Sequence, residues 1–241
     1  MRIRGFTKQV CCMTAFVGVV CVGAGPAAAE HEHDVWIGRS GTGQLKISPS
    51  GFVPEDHGHA LVPVNGPLLF GWTDNDPGFD AVSTDDLPND IYVLQPGAEI
   101  WLELVAIDPA LRLIDNGFQV IDEPGESTLL GDETLHVHNT WHIDSTHPAY
   151  NPDQYLWHAT FVLRDDGSTN YATSEPLVFS FINCTPGYVE ETLLAIEDFV
   201  AMLLDDAGYA TEERCAADMN ADGRIDGADI QPYVELLLPE E

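Results

Sequence analysis

Between positions 35 and 182, apolar residues arrive in short runs, alternating or continuous, each closed by residues that favour turns. The runs 35–38, 44–47, 68–72, 100–107, 111–114, 135–143, 155–164 and 177–182 predict β-strands. A pleated chain buries every second side chain, or nearly all of them when both faces are covered. Between the runs lie Ser48-Pro49-Ser50-Gly51, Asp74-Asn75-Asp76-Pro77-Gly78, Gln95-Pro96-Gly97, Asp122-Glu123-Pro124-Gly125 and Asp165-Asp166-Gly167, all turn-forming. No helical pattern precedes residue 188, so the spacing predicts a mainly β domain over 30–183, an antiparallel β-sandwich or jelly roll.

The texture changes at Asn183-Cys184-Thr185-Pro186-Gly187. From 188 to 204, Val189, Leu193, Ile196, Phe199, Val200 and Leu203 recur at helical spacing, with acids opposite, which predicts one helix. Residues 205–217 read as a linker and 230–238 as a short last helix, giving a small helical module over 184–241. A unit that small buries little apolar surface and needs staples.

The 241 residues hold 9 Lys+Arg against 40 Asp+Glu, a formal charge of −31. With 44% hydrophobic residues the chain is too apolar for a disordered acidic tail. The charge repels phosphate backbones and anionic bilayers, so nucleic-acid binding is excluded and metal cations become the natural partners. Arg2, Arg4 and Lys8 precede an apolar run over 10–23 and the small residues Ala27-Ala28-Ala29, the pattern of a signal peptide over 1–29 cut before Glu30. A retained anchor and a lipoprotein cut at Cys21 are the alternatives; Val20 speaks against the second. Removing three bases and no acid leaves a charge of about −34 and no later stretch able to span a membrane. The expectation is export to the periplasm, the cell surface or the medium. Cleavage leaves Cys184 and Cys215, which in an exported chain predict a disulfide, with free or metal-bound thiols as the alternative.

Asp218-Met219-Asn220-Ala221-Asp222-Gly223-Arg224-Ile225-Asp226-Gly227-Ala228-Asp229 carries the strongest motif. Oxygen side chains stand at positions 1, 3, 5, 9 and 12, Gly223 permits the sharp turn, and Arg224 offers its carbonyl. Hard oxygen donors around a tight loop suit Ca²⁺, although Asp229 at the last position is shorter than the usual Glu and Asp226 acts directly or through water. The loop resembles dockerin and EF-hand modules, which implies calcium and a cohesin-like or cell-surface partner. Dockerins carry two such halves and this chain one, so a calcium-stapled appendage is the more economical expectation.

All nine histidines lie before the helical module, six as the pairs His31/His33, His57/His59 and His136/His138. Read as one strand, 135–143 puts Leu135, Val137, Trp141 and Ile143 on an inner face and His136, His138, Thr140 and His142 on the other. Imidazoles two apart on a strand can reach one Zn²⁺ (or Cu²⁺) if further ligands arrive from the start His31-Glu32-His33-Asp34, the loop Glu55-Asp56-His57-Gly58-His59, or His147 or His158. Which of them converge is left open by spacing.

His33-Asp34-Val35-Trp36-Ile37, Asp76-Pro77-Gly78-Phe79, Leu135-His136-Val137-His138 and Ser174-Glu175-Pro176-Leu177-Val178-Phe179 are arranged as in a family of secreted bacterial proteins. The chain over 31–183 resembles this family, which is controlled by the zinc-uptake regulator and often ends in a PEP-CTERM sorting anchor. The resemblance implies a link to zinc availability and transfers to His33, His136 and His138; the anchor is replaced here by the acidic-loop module. No G-x-S-x-G, phosphate-binding G-x-x-x-x-G-K-[ST] or H-E-x-x-H occurs, so the expectation leans away from an enzyme. The expected function is an exported metal-binding protein. The alternative is a carbohydrate-binding module or glycan-acting component, with Trp36, Trp72, Trp101, Trp141 and Trp157 as stacking candidates.

Overall fold

In the computed structural model, which describes residues 34–55, 58–189 and 192–238, the apolar runs become strands. In chain order these are β1 (Val35–Arg39), β2 (Leu45–Ile47), β3 (His59–Ala60), β4 (Val62–Asn65), β5 (Phe70–Asp74), β6 (Phe79–Ala81), β7 (Ile100–Ile107) and β8 (Leu111–Ile114). They continue as β9 (Val120–Ile121), β10 (Ser127–Gly131), β11 (His136–Val137), β12 (Thr140–Asp144), β13 (Leu156–Asp165), β14 (Leu177–Ile182), β15 (Tyr188–Val189) and β16 (Thr192–Leu193). The helices are α1 (Ile196–Leu204), α2 (Thr211–Ala217) and α3 (Ile230–Leu237).

The fold is mainly β and mostly antiparallel. One sheet runs β11-β6-β1-β2, a second β10-β7-β13-β14-β3, a third β4-β5-β12-β8-β9, and β15 pairs only with β16. Among the described strands, parallel pairing joins β1 to β6 and β3 to β14, and an isolated parallel bridge joins Gln44 to Ala172. The sheets share one core. Trp141 of β12 lies 4.6 Å from Phe181 and 5.9 Å from Phe161, ring centre to ring centre, and 6.5 Å from Phe79 of β6. All four rings are fully buried, and each contributes roughly 1.5–3 kcal/mol through burial.

The run 135–143 is not one strand. It divides into β11, which pairs with β6 in one sheet, and β12, which lies between β5 and β8 in another. His138 and Asn139 make the crossing, and Asn139 is buried there. The expected inner positions Leu135, Trp141 and Ile143 are buried, but β12 has neighbours on both sides and cover on both faces, so His142 is buried too.

The helix expected over 188–204 is also shorter. Residues 188–189 and 192–193 form a small hairpin, and only Ile196–Leu204 is helical. Phe199 and Met202 face inward, while Ile196, Val200 and Leu204 are exposed. The Phe199 ring stacks on Tyr233 of α3 at 4.0 Å, which fixes the inward face. The stretch expected as a linker contains α2, whose Cys215, Ala216 and Ala217 are buried.

Cys184, just past β14, is disulfide-bonded to Cys215 of α2, closing a separation of 31 residues. Around that bridge Tyr155, Ile182, Cys215 and Ala221 make a small cluster joining the helical part to the second sheet. No helix of the described residues is long and apolar enough to cross a membrane.

Candidate metal centre

Asp34 stands immediately before β1, and three hydrogen bonds from backbone N–H groups fix it. The Phe52 N–H donates to its carbonyl at 2.9 Å, and Val35 N–H donates to Gly78 O at 2.9 Å. Gly78 N–H in turn donates to the Asp34 carboxylate at 3.1 Å. The parallel register of Val35 with Phe79 then carries β1 alongside β6. On the far side of β6, His136 of β11 lies opposite Asp80 and Val137 opposite Phe79. Three segments distant in sequence therefore end at one place.

There, one ligand atom each from Asp34, His136 and His138 lie within 4.8 Å of one another. Asp34 is buried, His138 half-buried and His136 exposed, so the group opens from a polar floor to the surface. His138 Nε2 is 3.7 Å from Asp34 Oδ2, and the two histidine rings are 5.2 Å apart, edge to face.

His138 is held from behind. Its Nδ1 lies 3.1 Å from Asp76 Oδ1 and 3.3 Å from Asn75 O. Both partners are acceptors, so Nδ1 carries a proton, and Nε2 is the ring nitrogen turned towards Asp34. This is the carboxylate–histidine arrangement that fixes a ligating imidazole. Asp80 Oδ2 stands 3.6 Å from His136 Nδ1, an ion-pair distance rather than a hydrogen bond.

The loop over 75–78 is clamped by β12: Trp141 Nε1–H donates to Pro77 O at 3.0 Å, and the Thr140 hydroxyl donates to Asn75 Oδ1 at 2.9 Å. Gly78 makes room for the site. A Cβ there would stand 2.6 Å from Asp34 Oδ1 and 2.6 Å from the His138 ring. Such a contact cannot be accommodated without moving a ligand.

The donor set suits a borderline transition-metal ion. Ligand atoms about a tetrahedral zinc, at bond lengths of about 2.0 Å, are roughly 3.3 Å apart. The Asp34–His138 separation is near that value, and closing the rest of the group takes a side-chain shift of about 1 Å.

The other predicted ligands separate into three groups. His31, His33 and His57 lie outside the described residues. His142 belongs elsewhere: Arg112 Nε–H donates to its Nδ1 at 2.9 Å and its Nε2–H donates to Phe70 O at 3.1 Å, leaving no lone pair for a metal. Burial first, and the Arg112 charge second, hold its pKa below the usual imidazole value. His59 stands edge-on to Phe52 and Phe181 with Asp74 at 3.4 Å, and His158 sits 3.5 Å from Asp108; neither joins the group. The sequence reading held Asp34 only as part of the candidate segment 31–34, without singling it out, and missed Asp76, Asp80 and Gly78 as its supports. Their signal was present, since Asp34 and the 76–79 segment belong to the motifs of the family resemblance, but an acid among forty gives no distinction by type alone.

The acidic loop folds differently. Asp218 ends α2, Gly223 adopts a φ of +83° at the sharp turn, and Asp229 leads into α3. Asp218 and Asp229 are fully buried. Asp218 accepts from the N–H groups of Asp222 (3.0 Å) and Gly223 (2.7 Å). Asp229 accepts from Met219 (2.7 Å), Asn220 (3.2 Å) and Asp226 (2.8 Å). Asp222 and Asp226 accept from Arg224 and Ala228 N–H groups. Burial, reinforced by the charges of Asp229 and Asp222, pushes the Asp218 carboxyl up to about 7; burial likewise raises Asp229. The loop carboxylates are thus turned to backbone N–H groups and do not gather as Asp34, His136 and His138 do.

No protein-family model matches the chain, and neither does a curated protein or a solved structure.

Proposed function

We propose that this is an exported, non-enzymatic metal-binding protein that holds a zinc ion on Asp34, His136 and His138. The observation that carries the reading is the convergence of one carboxylate and two imidazoles within 4.8 Å. Zinc is preferred to copper because a carboxylate with two imidazoles and an open fourth position suits a tetrahedral ion. The resemblance to the zinc-uptake-regulator-controlled family points the same way. The scaffold in this reading is a β-sandwich, supported by the core that the sheets share. Export is supported by the leader-like start and the disulfide.

In the same reading the loop over 218–229 takes calcium. Two buried carboxylates that repel one another gain from a divalent cation, and the turn at Gly223 has the backbone such a loop requires. Ion binding would turn Asp218 and Asp222 from N–H groups to the metal.

The test is a zinc titration against a competing chelator dye, with the unmodified chain and with Asp34→Asn. Asn keeps the shape and removes the charge, so the fold should survive and zinc affinity should fall by about a hundredfold or more. Equal affinity in both would remove the site.

A further inference from the structure

Where the second and third sheets meet the helical part, the chain forms a cleft of about 680 Å³. That is the size of a small-molecule site. One wall is aromatic and rigid. Trp72 stacks on Tyr150 at 6.0 Å and 21°, and Tyr150 stacks on the fully buried Trp157 at 5.6 Å and 7°. Trp72 is therefore the outer ring of a three-ring stack, half-buried and on the cleft lining. The lining also brings neutral polar groups, Asn183, Thr185 and Thr211, beside the Cys184–Cys215 bridge.

Asn183 gives the cleft its polarity. Its side chain lies beside Tyr150, and its Oδ1 is buried with no protein hydrogen-bond partner among the described residues. A buried acceptor in that condition calls for a donor. Neither Lys nor Arg lines the cleft, and Glu212 is its one charged side chain among the described residues. In a chain of formal charge −31 such a cleft repels anions.

We propose that this cleft binds a neutral saccharide. A sugar ring offers an apolar C–H face for Trp72 and hydroxyls that exchange hydrogen bonds with the polar side chains of the lining, Asn183, Thr185 and Thr211. A proline-rich peptide also suits an aromatic groove, but proline has no N–H to give the polar groups of the lining. The site shares no residue with the metal group, so the two readings stand or fall separately.

The experiment is calorimetric titration of the full chain with neutral hexasaccharides of gluco, xylo, manno and galacto configuration, and with a polyproline peptide. At least one hexasaccharide should bind. Trp72→Ala should weaken it about tenfold. Thr185→Val with Thr211→Val, which leaves the aromatic stack untouched, should weaken it as well. Trp101→Ala, remote from the lining, and His136→Ala with His138→Ala should leave it unchanged. Failure of every hexasaccharide to bind the folded chain would overturn the proposal. So would binding indifferent to both cleft variants, or capture of the peptide alone.

Discussion

The group at Asp34, His136 and His138 and the loop over 218–229 differ in how far along the chain their residues are gathered. The first draws on positions about a hundred residues apart, brought together by β1, β6 and β11. The second lies in twelve consecutive residues between α2 and α3. Their surroundings differ as well. Behind the first lies the main core of 25 buried residues, including Trp141, which anchors the 75–78 loop. Behind the second lies a cluster of six buried residues, supplemented by the disulfide. A large core can hold ligands at fixed separations before any ion arrives. A small one leaves its carboxylates to satisfy backbone N–H groups, as Asp218 and Asp229 do.

The largest effects should come from breaking the preassembled site. Gly78→Ala should abolish tight zinc binding, because the added methyl falls where Asp34 and His138 stand; zinc retained on dialysis measures it. Asp76→Ala removes only the support behind His138, and the same titration should show a loss of about 10–100-fold.

How much of this was legible in the sequence follows from the same contrast. The strands at 100–107, 111–114 and 177–182 were read to the residue because their apolar runs are bounded by turn residues. The short β3, β6, β9 and β11 were not, since two or three residues carry no period and exist only through partners distant in sequence. His142 shows the limit most clearly. Alternation put it beside His136 and His138, but alternation holds only within one strand, and the crossing at 138–139 transfers the chain to another sheet. The helix face was misread for a related reason: apolar residues ring α1 widely enough for two stripes, and Tyr233 decided which one is covered. The cysteine pair was legible because only two remain after the expected cleavage.

On the helical side, Cys184→Ser with Cys215→Ser should lower stability by about 3–4 kcal/mol, with exchange protection lost first in α1 to α3. Calcium at a hundredfold excess over its dissociation constant should add about 2.7 kcal/mol to that part, and Asp218→Ala with Asp222→Ala should remove the gain. Thermal melts with calcium and with chelator check both. If the β part also needed calcium to bind zinc, the separation drawn between the two regions would fail.

The smallest effect concerns His142. Its pKa is lowered in the fold by burial and by Arg112, with the Phe70 carbonyl and then Asp144 partly offsetting them. The unfolded chain therefore takes up the proton first. This contribution to stability is complete above about pH 6.5 and is lost as pH falls below it. His142→Gln should flatten that part of the melting profile; an unchanged slope would assign the acid sensitivity to other groups.

Crystals of the chain grown with zinc, measured on both sides of the zinc absorption edge, give the most direct test. The account predicts one strong anomalous peak within bonding distance of an Asp34 oxygen and of a nitrogen from each of His136 and His138. A peak elsewhere, or none between those three side chains at saturating zinc, would contradict it.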